Sequence, residues 1–217
     1  MIDREEFIEL LEDLVSSVFG PVKAMDRISE KGILEAEDRV KLKLPSILLE
    51  YYRFVGNHPQ VSEGMNHLLK PPALYLRNGG LIFQEENQKY YFCGILAVDV
   101  SKSDPPVMQG NCGETTWYPE GTQLSSHLLA SICWQACNAL PALAHVSVST
   151  EQMSLLKKGL RSSNFGAELE GDTTGLWGDG VAVAAFAKGD AYDVYLAART
   201  KELLDDFRIR FGISAIG

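Results

Sequence analysis

The spacing of apolar residues switches between two periods along the chain, and the order of these switches constrains the fold class. Residues 3–19 and 44–57 carry apolar side chains at three- and four-residue steps, which is typical of amphipathic helices. Residues 73–100 are strand-like, residues 122–140 return to the helical period, and two strands and a helix follow from residue 181. Because the strands are grouped and do not alternate with helices, the pattern predicts an α+β fold, with a central, mainly antiparallel sheet and helices packed on it.

Capping and turn residues mark several boundaries of these elements. Asp3 and Glu6 have the spacing of a capping box, and Thr200 is a helix cap before the last apolar stripe. The triplet Asn78-Gly79-Gly80 predicts a hairpin turn. The run 90–98 is apolar at both alternating sets of positions, so we expect it in the middle of the sheet.

Other segments carry weaker signals. Residues 64–69 read as a short helical piece that Pro71-Pro72 ends, and residues 20–40 read as a polar stretch with isolated apolar anchors. A short helix is predicted over 151–160, and the glycine- and acid-rich segment 166–180 reads as a turn region before the strand at Val181. The segment around 145–150 is the only plausible linker, so we predict a single domain over residues 1–217.

Composition excludes some classes of partner. The chain has 217 residues, 20 Lys plus Arg against 29 Asp plus Glu, and a net charge of −9. An acidic surface does not suit nucleic-acid binding, which needs a basic face. No signal peptide or membrane span is visible, so we expect a cytoplasmic protein without nucleic-acid or membrane partners.

The candidate nucleophile is Cys112. Segment 109–117 resembles the papain-type signature, but Thr115 occupies the position of the nucleophilic cysteine. Cys112 could still act as a lone nucleophile with His127 or His145, which leaves a small thiol hydrolase as one alternative. The other interpretation is a cysteine in a turn-rich loop.

No metal or cofactor site is expected. Cys133 and Cys137 lie four residues apart on a predicted helix and read as small core residues, because a structural zinc site needs four converging ligands. The glycines of 175–180 lack the strand and long helix of a nucleotide-binding motif. We therefore predict free thiols, no cofactor and no metal.

Three distinctive stretches occur in fixed order along the chain. They are Leu44-Pro-x4-Glu-Tyr-Tyr-x3-Gly56; Asn66-x-Leu-x2-Pro71 with Leu81-Ile-Phe-x-Glu-Glu-Asn-Gln88 and Gly94-Ile95; and Asp104-Pro-Pro-Val107 with Trp117 and Leu124-Ser-x2-Leu128. Together they resemble the SUKH superfamily, a group related to a fungal regulator of cell-wall synthesis. The resemblance covers residues 40–140, and a strand–strand–helix extension follows at 180–212. Cys93 stands where members often carry Trp before the Gly-Ile pair.

The resemblance implies a SUKH-like α+β domain without catalysis, which in bacterial members is an immunity protein that binds and neutralises a toxin domain. A regulatory or scaffolding interaction module of the cell-wall-regulator kind is the alternative. An acidic chain would suit a basic toxin such as a nuclease, because opposite fields speed association.

Polar residues at a predicted strand end are the first candidates for partner contacts, since side chains there reach solvent. The candidates are Glu85, Glu86, Asn87, Gln88, Asp104 and Trp117. Each has a structural alternative: Asn87 and Gln88 can satisfy backbone groups in a turn, Asp104 can start the Pro-Pro turn, and Trp117 can be a core residue.

Overall fold

The strands of this protein form two separate antiparallel sheets. The computed structural model describes residues 2–165 and 173–213. Its α-helices are α1 (Arg4–Val18), α2 (Glu30–Val40), α3 (Ser46–Phe54), α4 (Pro59–Ser62), α5 (Leu124–Ala139), α6 (Thr150–Gly159) and α7 (Lys201–Arg210). Its strands are β1 (Asn66–Leu68), β2 (Tyr75–Arg77), β3 (Gly80–Glu86), β4 (Tyr91–Leu96), β5 (Pro106–Asn111), β6 (Trp117–Gln123), β7 (Ala142–Ser149), β8 (Arg161–Phe165), β9 (Thr173–Gly178), β10 (Val181–Lys188) and β11 (Ala191–Ala198).

The first sheet has the strand order β1-β3-β4-β5-β6, and β2 pairs with the other half of β3. An irregularity in β3 lies between Ile82 and Gln84. It turns two successive side chains toward α5: the ring of Phe83 meets His127 edge-on at 5.6 Å, and Gln84 hydrogen-bonds to the same imidazole. A bulge is the usual way for neighbouring residues to face one side of a strand.

The second sheet has the order β7-β11-β10-β9-β8, and both of its faces are covered. Val181, Val183 and Ala185 of β10 join a cluster with side chains of α6 and α7. Ala182 and Ala184 point into the larger cluster that also holds α5 and the first sheet. A strand buried on both faces needs apolar residues at consecutive positions, which accounts for the Val-Ala run.

Helix α5 lies between the two sheets. At Gly175 of β9 an added Cβ would come within 2.8 Å of the Cα of Ala130, so the glycine allows the helix to approach the strand closely. Trp177 of the same strand is fully buried, and its Nε1 donates to Asp13 of α1 at 2.9 Å. This contact joins the first helix to the second sheet.

The α+β class, the antiparallel pairing and most of the helices agree with the sequence prediction, but the strands form two sheets where one central sheet was expected. Asp3 caps α1 by accepting from the Glu6 amide, and Thr200 caps α7 by accepting from the Leu203 amide. Strand β4 lies in the middle of the first sheet, as its apolar run predicts.

Two short-range predictions are wrong. The helical piece at 64–69 is strand β1, because Asn66–Leu68 pairs with Gln84–Glu86 and tertiary pairing overrides a weak local signal. The stretch 20–40 contains helix α2, which Ser29 caps and which buries Ile33, Ala36 and Val40.

Five further strands, β5 to β9, lie where no strand was predicted; among them, β8 occupies a segment for which no element was predicted. The supposed linker at 145–150 is the end of β7 and the start of α6, joined by a capping box at Ser149. Strands β5, β6 and β9 are rich in Gly, Asn, Thr or Pro, and their propensities conceal them. The part of the predicted turn region at 166–172 lies outside the described residues.

Across residues 2–165 and 173–213, no helix is long and apolar enough to cross a membrane.

Candidate protein-binding surface

The turn between β3 and β4 is built around the carboxylate of Glu86. Its Oε2 accepts from the backbone amides of Gln88 at 2.9 Å and Tyr90 at 3.2 Å. Lys89 has φ 61°, and its amide donates to the Glu86 carbonyl at 2.9 Å. One predicted contact residue therefore also organises the turn.

The side chains around this turn point to solvent. Asn87 and Gln88 are exposed, Tyr90 is 71% exposed, and Met65 is 42% exposed. The Asn87 amide donates to the Met65 carbonyl at 2.8 Å, which holds Met65 beside the turn. We define the turn surface as Met65, Glu85, Glu86, Asn87, Gln88 and Tyr90.

Glu85 lies at the half-buried edge of the turn surface. Its Oε1 accepts a hydrogen bond from the Tyr75 hydroxyl at 2.6 Å. Partial burial is the main cause that raises the pKa of Tyr75, and the hydrogen bond to the Glu85 carboxylate is the next largest cause. The hydroxyl therefore stays protonated and donates. Within the described residues, neither Glu85 nor Glu86 forms an ion pair, and these two carboxylates outnumber the single cation of the turn, the exposed Lys89.

Trp117 lies three strands from Glu85 across the sheet and is engaged in packing. Phe92 pairs with Glu85 across the sheet, and its ring meets Trp117 edge-on at 5.4 Å. The Trp117 ring lies over Gly80 and Gly94, where an added Cβ would come within 3 Å of ring atoms. Its Nε1 donates to the Asn78 carbonyl at 2.9 Å, so both the ring and its polar atom already have partners in the fold.

Asp104 is placed away from the other candidates and is buried. It precedes β5 at the opposite end of the sheet from the β3–β4 turn, and only 5% of it is exposed. Its two oxygens accept from the amide and the hydroxyl of Ser125 at 2.8 and 2.7 Å. A carboxylate there satisfies free amides at the start of α5 and interacts favourably with the helix dipole. Asp104 therefore has a structural role. It caps helix α5, whereas the sequence suggested that it starts the Pro-Pro turn.

We expect Asp104→Ala to lower the free energy of unfolding by about 2 kcal/mol, because it leaves a buried amide and a buried hydroxyl without their charged acceptor. Urea denaturation followed by circular dichroism measures the loss. The control is Asp206→Ala, which removes an exposed carboxylate of α7. Equal stability of the two variants would contradict the capping role.

The β5–β6 turn carries a second polar network. The Oε2 of Glu114 accepts from Asn111 and from the Tyr118 hydroxyl, both at 3.2 Å, and the negative charge of Glu114 raises the pKa of Tyr118. Cys112 is exposed in the same turn, with its Sγ 3.9 Å from a guanidinium nitrogen of Arg77.

The two histidines considered as partners of Cys112 lie elsewhere. His127 is buried between β3 and α5, where its Nε2 is 2.7 Å from Gln84. His145 stacks on Tyr195 of the second sheet at 4.4 Å. The structure therefore does not assemble Cys112 with either histidine.

Cys93, Cys133 and Cys137 are buried free thiols, as predicted. Burial raises the pKa of Cys137 to about 12 and that of the other two well above the usual value, which keeps all three protonated. The described part of the chain contains no group of three or more His, Cys, Asp or Glu residues that could hold a metal ion.

Sequence reasoning found the polar part of the turn surface and missed its apolar part. Tyr90 was placed inside a central strand, but β4 begins at Tyr91 and Tyr90 belongs to the turn. Met65 was placed in a helical piece. The sequence feature that could have placed Tyr90 in the turn is the polar run 85–89 immediately before it. This run is long enough for the end of one strand and a turn.

Comparison with models of protein families, with curated proteins and with solved structures finds no match for this chain.

Proposed function

We propose that this chain is a cytoplasmic, non-enzymatic immunity protein of the SUKH type, which binds a toxin domain through the turn surface and blocks it. The resemblance of residues 40–140 supports the class. The observation that carries the choice of surface is Tyr90, an aromatic side chain 71% exposed next to two carboxylates without ion pairs. Within protein interfaces, Tyr is enriched among the residues that dominate binding energy.

The charge of the chain supports a basic partner. A net charge of −9 gives a negative field, and Glu85 and Glu86 outnumber the single cation of the turn, Lys89. Such a field attracts a basic domain, speeds its association and makes the rate fall with salt. A nuclease toxin has the required chemistry, because its own site must hold a phosphate backbone.

The test is co-expression with the toxin domain encoded beside the gene for this chain, followed by binding measurements on the purified pair. We expect rescue of growth and a stable complex. Tyr90→Ala should weaken the complex by about thirtyfold or more, the loss typical of an interface hot spot. Val98→Ala is the matched control, since Val98 is 82% exposed but lies after β4, at the opposite end of the sheet.

The two parts of this proposal fail separately. If the chain neither rescues growth nor forms a complex with the toxin domain, the proposed immunity function is overturned. A normal complex that Tyr90→Ala leaves at full affinity would overturn the turn surface as the binding site. Stable capture of a host regulatory protein, with no effect on toxin, would favour the alternative of a regulatory module.

A further inference from the structure

A basic cleft lies at one end of the second sheet, where β11 leads into α7. It has a volume of about 410 Å³ and lies between the start of β7 and the first turns of α7. A cleft of this volume is within the range of small-molecule sites, which is roughly 300–1,000 Å³. The turn surface lies on the other sheet, so this cleft is a second, separate feature of the molecule.

Three cations line the cleft although the whole chain is acidic. They are Arg199, Lys201 and Arg208, and the one carboxylate among the lining residues is Asp205. Within the described residues, neither Arg199 nor Lys201 forms an ion pair. A local excess of positive charge in a chain with net charge −9 points to an anionic ligand.

Arg208 has a guanidinium that the described residues around it do not fully satisfy. Its side chain is 16% exposed, and its nearest carboxylate oxygen, on Asp205, is 3.7 Å away, which is too far for a hydrogen bond. Its Nε is buried and has no hydrogen-bond partner among the described residues. A buried charged donor without an acceptor is costly, and a bound anion would provide that acceptor.

The guanidinium of Arg199 also lies close to the residue that follows α1. A Cβ at Gly20 would come within 3.2 Å of one of its nitrogens, and Gly20 has φ +100°. The glycine therefore leaves room for the exposed Arg199 side chain. Helix α7 begins beside the cations, where Thr200 accepts from the Leu203 amide and the Glu202 carboxylate interacts with its own amide and with Thr200, so the binding of an anion depends on the three cations and not on the helix end.

The β7 wall of the cleft is apolar and includes Pro141, Ala142 and Leu143. Leu143 is 53% exposed, so this wall offers accessible apolar surface. We propose that the cleft binds a phosphomonoester whose phosphate contacts Arg199, Lys201 and Arg208 and whose apolar part lies against this wall. Phosphate suits three separate cations better than a carboxylate does, because it carries more charge and offers more acceptor oxygens.

Isothermal titration calorimetry of the full chain with phenyl phosphate, inorganic phosphate and phenol tests this site. We expect phenyl phosphate to bind most tightly, inorganic phosphate more weakly, and phenol not at all. Arg199→Gln, on an exposed side chain, should weaken phenyl phosphate binding about tenfold, and Arg208→Gln by at least as much. Arg27→Gln is the control, because it removes an exposed arginine outside the cleft.

A second arm separates a soluble ester from a lipid headgroup. In a sedimentation assay, vesicles of phosphatidic acid in phosphatidylcholine should bind the wild-type chain only if the natural phosphomonoester is a lipid. In that case Arg199→Gln should stay in the supernatant. No binding of phenyl phosphate, or the same affinity in Arg199→Gln as in Arg27→Gln, would overturn the proposal. Phenol binding as tightly as phenyl phosphate would also overturn it, since the cations would then have no role.

Discussion

Replacing Trp177 with alanine is expected to lower the free energy of unfolding by about 3–5 kcal/mol. The side chain is fully buried in the cluster that α5 shares with both sheets, and its Nε1 hydrogen-bonds to Asp13. Removing the indole opens a cavity at the junction of α1 and β9 and also leaves the Asp13 carboxylate with one donor fewer. Guanidinium chloride denaturation followed by far-UV circular dichroism measures the loss.

Two variants show which part of the indole matters. Trp177→Phe retains most of the apolar volume but removes the hydrogen bond to Asp13, so we expect a loss of about 1–2 kcal/mol. Trp134→Ala removes an indole of the same size from a half-buried position on α5 and should cost less than Trp177→Ala. Equal losses at Trp177 and Trp134 would contradict the view that Trp177 joins α1 to the second sheet.

Acidification from pH 7 to pH 5 is expected to reduce the free energy of unfolding by about 2 kcal/mol through His127 alone. Burial lowers the pKa of His127 from 6.5 to about 3 in the folded chain. The unfolded chain binds a proton as the pH falls below 6.5, while the folded chain does not. Stability is therefore fully retained above pH 6.5 and is lost progressively as the pH falls toward 3.

Chemical denaturation at pH 7, 6 and 5 tests this, with His127→Gln as the comparison. The variant should be less stable at pH 7 but should lose less stability on acidification than the wild type does. His58 contributes in the same direction, because burial also lowers its pKa, and the variant retains that contribution. Parallel pH profiles for wild type and variant would show that His127 titrates normally in the folded chain.

The sequence predicted correctly those helices whose capping residue and apolar stripe lie within a few residues of each other along the chain. Asp3 with Glu6, and Thr200 with Leu203, are such pairs, and both helices begin where these residues place them. Helix α2 was missed because most of its surface is polar, and only a narrow stripe through Ile33 and Val40 is buried. Strand β1 was missed because its three residues are defined by the partner strand β3 and not by their own propensity.

The candidate surface was predictable to the same extent. Polar residues after an apolar strand place Glu85–Gln88 at a turn, and the structure has that turn. The role of Asp104 depends on Ser125, which lies 21 residues further along the chain, and no local pattern joins the two. The packing of Trp117 likewise depends on Gly80 of β3 and Gly94 of β4, which meet its ring only when the sheet is assembled.

The bond between Trp177 and Asp13 also affects how the chain matures on the ribosome. The two residues are 164 positions apart, so the first helix leaves the ribosome long before its indole partner is synthesised. Until then, the side of α1 and α5 that later meets β9 has no covering strand. A nascent chain that ends after α5 therefore exposes apolar surface from the centre of the finished protein, and such surface favours aggregation until the second sheet is made.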